Sequence, residues 1–217
     1  MVLAGAGISA VAPSDVPSWW HFNETVLERI VALAREGFAF EAETGEALSA
    51  LQLEDVGVTR FSDVVADCIA GEHWFRLLRH LDGTTPGPCH DALAEFASSG
   101  QLAAIITTNF DTLLEQAFTD AGVALSVVVP AGSALAPLDE DGPCQLVKIH
   151  GSAKDSESLV DLASQKLRGL PVVLQRWLGR AFAEHPVLVA GFSGADLALG
   201  EDYLGLGGAS ETTSESR

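Results

Sequence analysis

Cationic side chains are scarce in this sequence. Among 217 residues, 12 are lysine or arginine against 30 aspartate or glutamate, giving a formal net charge of −18. Non-specific binding to DNA or RNA needs a cationic footprint, so nucleic acid is excluded as an expected partner. An anionic membrane surface is disfavoured for the same reason. A polyanionic ligand is then expected to rest on backbone N–H groups rather than in a basic pocket. Cysteine is also sparse: Cys68, Cys89 and Cys144 are the three. An odd count with no C-x-x-C pair excludes a disulfide framework and a four-cysteine zinc site. Buried thiols in a reducing compartment are expected. No apolar run approaches the roughly 18 residues that span a bilayer. No basic segment precedes the first apolar one, as it would in a signal peptide. No P-loop lysine signature is present. The expectation is a soluble cytoplasmic protein that neither spans nor coats a membrane.

Against these absences stand three polar clusters, each closing an apolar run. They are Val2-Leu3-Ala4 into Gly5-Ala6-Gly7-Ile8-Ser9, Ala104-Ile105-Ile106 into Thr107-Thr108-Asn109-Phe110-Asp111, and Leu146-Val147-Lys148-Ile149 into His150-Gly151-Ser152. Each run reads as a buried strand. In a parallel sheet the strand ends share an edge, and ligands bind in the crevice outside the carboxyl ends. Residues distant in sequence are thereby expected to meet at one site.

The remaining pattern fits that architecture. Strands are expected at 2–4, 103–107, 127–129, 145–149 and 187–191. Pro13 and Pro17 mark residues 10–22 as a loop, with Asn23 capping a helix that carries Val26, Leu27, Ile30, Val31 and Leu33. Residues 38–100 carry helical periodicity and no convincing strand, and are expected to form a small helical insert. Ser62 reads as a cap there. Helices are expected over 72–81 with Trp74, Leu77 and Leu78 on one face, then 91–98, 111–121 and 170–184. Alternating strands and helices predict an α/β fold with a doubly wound parallel sheet. The domain spans 1–206. Residues 207–217 lack core-forming side chains and read as a disordered tail or linker stub.

Gly5-x-Gly7-x-x-Ala10 fits a dinucleotide-binding turn, although the following helix is delayed. Asn109 and Asp111 can bind ribose hydroxyls or cap the next helix. His150 can act as a general base near neutral pH. His21, His73, His80, His90 and His185 read as structural, and no histidines show metal-ligand spacing. Gly191-Phe192-Ser193-Gly194 resembles a nucleophile elbow. No histidine follows Ser193, which argues against an α/β-hydrolase. A backbone loop touching a nucleotide is the better reading.

Together the motifs GAGIS (5–9), TTNFD (107–111), KIHGS (148–152) and VAGFSGAD (189–196) resemble the SIR2-like, or sirtuin, superfamily. The resemblance implies a Rossmann-like (DHS-like) fold that uses NAD as a substrate. It implies that Gly5, Ala6, Gly7 and Ser9 hold phosphates, and that Thr108 also contacts the cofactor. Asn109 and Asp111 would sit at the nicotinamide ribose. His150 would be the catalytic base, and Gly191 with Ser193 would line the adenosine side. Deacylases of the superfamily carry paired C-x-x-C zinc motifs after the catalytic histidine, and these are missing here, so no zinc is expected. Asp15-Val16-Pro17-Ser18-Trp19-Trp20 stands in place of their G-I-P-D-F-R loop, and Thr108 replaces a glutamine. The pattern is closer to the NAD-cleaving domains of bacterial antiphage defence proteins. Those domains precede a C-terminal sensor domain, so a missing sensor domain or a homo-oligomer is an implied partner. The expected activity is hydrolysis of NAD to nicotinamide and ADP-ribose. The alternatives are an NAD-dependent protein deacylase and a non-catalytic NAD or ADP-ribose sensing module or fragment.

Overall fold

The computed structural model describes residues 1–36, 47, 50, 61, 63–65, 71–83, 85–129, 138, 142–194 and 203–204. The expected strands form one five-stranded sheet, with every pairing parallel. They are β1 (Val2–Ala4), β2 (Ala104–Thr107), β3 (Leu125–Val128), β4 (Cys144–Lys148) and β5 (Leu188–Ala190). Their order across the sheet is β3-β4-β2-β1-β5. From β1 the chain winds outward through β2, then returns to the opposite side of β1 for β5. The direction of winding reverses at β1, which makes the crevice above it the topological switch point.

Register decides what meets there. Ala4, the last residue of β1, pairs with Thr107 of β2 and Ala190 of β5, and Thr107 pairs with Lys148 of β4. Four strands therefore end level. Gly5, Thr108, Gly191 and Ile149 are the first residues past that edge.

Alternation along the strands builds two cores. Val2, Ala4, Ile105 and Leu146 pack against α3 (Pro88–Ser98) and α4 (Leu113–Asp120) through Leu93, Ala94, Leu114 and Phe118. Leu3, Ala104, Ile106 and Val147 face the other way. They meet Leu174, Trp177, Leu178 and Ala181 of α6 (Val172–Glu184). This period-two partition is what a sheet covered on both faces requires. Each buried aliphatic side chain contributes about 1.5–3 kcal/mol. The result is an α/β, Rossmann-like, doubly wound domain. At its edge, β5 leaves Leu188 and Val189 more than half exposed.

A third core joins α1 (Trp19–Arg35) to α2 (Gly71–Leu78) and to the helical residues Phe61 and Val65. Trp74 is its centre, with ring contacts to Trp19, Phe22 and Phe61. This is the described part of the expected helical insert. The rest of 38–70, with the Ser62 cap and Cys68, lies outside the described residues, as do most of the 131–144 loop and the 207–217 tail.

Several boundaries differ from the sequence reading. Asn23 does not cap α1. Ser18 does: its Oγ accepts the His21 N–H at 3.2 Å, so the helix starts five residues earlier than read. Asn23 lies inside the helix, wholly buried. Helix α3 starts at Pro88 rather than Asp91, because proline suits the first helical position. A short helix, α5 (Ala163–Lys166), appears where none was expected. Cys144 is buried, as expected, and burial pushes its thiol up to about 12. Cys89 is exposed instead.

Candidate functional site

The glycine turn is built by close approach of two loops. Beyond β1 the chain enters a 3-10 turn, Ala6–Ile8. Gly5 N–H donates to the Ala190 carbonyl at 3.0 Å and Gly7 N–H to the Gly191 carbonyl at 2.9 Å. A Cβ on Gly5 would stand 2.7 Å from the Phe192 Cα, and one on Gly7 would stand 2.8 Å from the Gly191 Cα. Gly191 itself has φ 62°. The sequence signal for a phosphate turn is thus first a requirement of loop packing. The N–H groups of Ile8 and Ser9 also donate within the turn, to Gly5 and Ala6. Among the described residues, the exposed Ala6 N–H is the donor of this turn that meets no acceptor.

Ser9 is the hub of the site. Its hydroxyl donates to Asp111 Oδ2 at 2.9 Å. It lies 3.2 Å from Asn109 Nδ2, which also donates to the Gly5 carbonyl at 3.3 Å. The third neighbour is His90 Nε2 at 3.1 Å. Nδ1 of that ring accepts the Gly87 N–H at 2.9 Å, so the proton sits on Nε2 and points at Ser9. One donor and two acceptor lone pairs are then all used. Burial holds the His90 pKa below the ordinary imidazole value, although Asp111 opposes this. His90 is therefore neutral at physiological pH. Pro88 was the available signal: it sets the helix start and places residue 90 on the first turn, facing back to Gly87.

Of the two roles considered from sequence, Asp111 shows the one at the helix start. Oδ2 receives Ser9, and Oδ1 accepts the Leu113 N–H at 3.2 Å, capping α4. Two further anchors went unread. Lys148, 1% exposed, donates to the Asp111 carbonyl and to Glu115 Oε1 at 2.8 Å. Asp82 accepts both the Thr112 N–H at 2.6 Å and its hydroxyl at 3.0 Å. The loop after β2 is thus held from two sides.

His150 belongs to a second group. It is buried, with Nε2 3.1 Å from the Tyr203 hydroxyl, and its ring also meets the Thr108 backbone carbonyl. Burial first, and then Lys166, hold its pKa well below the ordinary value, so the imidazole is neutral. Thr108 and Asn109 are adjacent, and through them the two groups adjoin. Gly191 and Ser193 are exposed on the loop facing the glycine turn. A cavity of about 570 Å³ opens beside Ala10, next to Ser9, between Asp15, Pro17 and Ser18 and the α1 residues Phe22 and Thr25. Among the described residues, no three metal-binding side chains gather, and no helix is long and apolar enough to cross a membrane.

A level row of strand ends at a switch point, carrying a glycine turn and a buried Ser–Asn–Asp–His network, defines an α/β protein of the Rossmann-like class. Residues 103–201 match the family model of the SIR2-like domain, which supports the SIR2-like superfamily. A domain of that kind implies use of NAD. The matched stretch includes Asn109, Asp111, His150, Gly191 and Ser193, while the glycine turn and His90 precede it. No curated protein matches the chain.

Proposed function

We propose that this chain is an NAD glycohydrolase, hydrolysing NAD to nicotinamide and ADP-ribose. The observation that carries the reading is the convergence of Ser9, Asn109 and Asp111 in one hydrogen-bonded network at the switch point. Cleavage of a glycosidic bond to a cationic nicotinamide needs little covalent help. The protein must hold the ribose and favour the developing charge of an oxocarbenium-like state. Asp111 supplies a fixed negative charge, and Asn109 supplies an amide held by Ser9 and Gly5. A neutral His150 is able to accept a proton from a ribose hydroxyl or from water. The Ala6 N–H and the exposed loop at Gly191 and Ser193 would lie against the pyrophosphate and the adenosine. The cavity beside Ala10 has room for a nicotinamide riboside within the usual range of ligand pockets, about 300–1,000 Å³. The motif resemblance to NAD-cleaving domains of antiphage defence proteins supports hydrolysis over deacylation, and with it a defence role.

The test is nicotinamide release from NAD by the purified chain, with and without an acyl-lysine peptide. Release without peptide that is lost in Asn109→Ala and His150→Ala is the expected result. Release only with peptide identifies a deacylase. NAD-induced thermal stabilisation without release identifies a binding module.

A further inference from the structure

Basic side chains are rare here, yet two arginines and two histidines line one cavity. His73 and Arg76 of α2, with Arg79 and His80 of the 3-10 turn Arg79–Leu81, line a cavity of about 630 Å³, with Leu77 half-buried among them. All four polar side chains are exposed, while Trp74, Leu78 and Leu81 from the same segment fill the helical core. The outward face of the segment is therefore cationic by construction. A cation in the last helical turn complements the helix dipole, which accounts for Arg76 alone. It does not account for a second arginine three residues on. Two other cations find partners: Lys148 pairs with Glu115 and Arg29 with Glu36. Among the described residues no carboxylate pairs with Arg76 or Arg79, in a chain where acids outnumber bases 30 to 12.

We propose that this cavity is a second ligand site, which takes a small molecule bearing a pyrophosphate group. Arg76 and Arg79 are three residues apart, which places two guanidinium forks side by side. A guanidinium binds phosphate oxygens in pairs, so two forks suit two linked phosphates better than one. The imidazole of His80 adds a donor at the rim. Leu77 offers apolar contact to a sugar or base, which points to a nucleoside diphosphate unit. None of the lining residues belongs to the Ser9 network, so the proposal does not depend on NAD cleavage. It would seat a polyanion among basic side chains, where the sequence reading expects backbone N–H groups.

The test is calorimetric titration of the intact chain with inorganic pyrophosphate at physiological ionic strength. Saturable binding is expected, weakened roughly tenfold or more in Arg76→Ala/Arg79→Ala and clearly weakened in Arg76→Lys/Arg79→Lys, which keeps the charge and loses the forks. Asn109→Ala should bind pyrophosphate as the wild type does. Unchanged melting temperatures of the arginine variants, whose side chains are exposed, show that the fold is intact. The proposal is overturned by no saturable binding, or by wild-type affinity in either double variant. Loss of binding in Asn109→Ala would place the anion at the glycine turn instead. Binding of hexaglutamate as tightly as pyrophosphate would make the surface an acidic-peptide site.

Discussion

Ser9 and His90, 81 positions apart in the chain, face each other at 3.1 Å, with the imidazole N–H directed at the serine oxygen. That contact fixes which way the serine hydroxyl points. With both lone pairs engaged by His90 and Asn109, its proton is left for Asp111. A helix of the crossover between β1 and β2 thereby sets the orientation of groups at the ends of both strands.

The first prediction follows from this. His90→Ala leaves the Gly87 N–H without its acceptor and frees the serine hydroxyl to rotate. Losing a buried partner costs about 1–3 kcal/mol, which urea unfolding would register. Nicotinamide release should fall through kcat more than through KM, because the groups it orients remain present but disordered. Wild-type kcat in a folded His90→Ala protein would remove His90 from the site.

Lys148 carries a second prediction. Its ammonium is almost completely buried beside Glu115, which is itself 15% exposed at its side chain. Removing one member of a buried pair strands the other, at a cost of about 3–5 kcal/mol. Lys148→Met should therefore destabilise strongly. Lys148→Met/Glu115→Leu should recover most of that loss, since two apolar side chains strand no charge. Release of nicotinamide should stay low in the double variant, because the Asp111 carbonyl still lacks its anchor. Additive unfolding energies in the double-mutant cycle would show that the pair is not coupled.

The sheet was legible because its strands obey one rule. Val2-Leu3-Ala4, Ala104 to Ile106 and Leu146-Val147 are buried on both faces and carry no charge until they end. Helix α1 was misplaced because Pro13 and Pro17 announce a loop and Asn23 is a good cap by type. The true cap, Ser18, sits directly after Pro17, and Trp19 and Trp20 are apolar residues that a loop reading passes over. Asn109, Asp111 and His150 stood out because polar residues followed apolar runs. His90 did not, because its role depends on Ser9 and Asn109, and sequence spacing cannot report a contact between helix and strand end. Lys148 was quoted within its motif, but only burial shows that it is an anchor.

Gly191 gives a third prediction. Its φ of 62° is a left-handed conformation, and an added Cβ would run into the Ile8 backbone nitrogen. The strain alone costs about 1–2 kcal/mol, and the overlap adds to it. Gly191→Ala should lower the unfolding midpoint and break the Gly7–Gly191 hydrogen bond, separating the two loops. Loss of NAD-induced thermal stabilisation should exceed the loss of stability itself. An alanine variant that melts with the wild type would mean that the loops do not depend on this approach.

The last prediction concerns pH. Burial holds the folded pKa of His150 well below 6.5, its ordinary value. His90 is lowered as well, for the same reason. Below about 6.5 an unfolded imidazole binds a proton that the folded one refuses. The unfolded state then holds more protons, so stability rises with pH across that window. It is fully present above 6.5 and is lost as pH falls toward the folded values. Urea midpoints measured from about pH 8 down to 5 should decline on the acid side, and His150→Gln should flatten that decline. The same lowered pKa moves the acid limb of the reaction. A base that stays neutral keeps working, so nicotinamide release should persist well below pH 6.5 until His150 protonates or the fold is lost. A rate that halves near 6.5, with His150→Gln matching the wild-type stability curve, would mean that the imidazole is solvated and not the buried base described here.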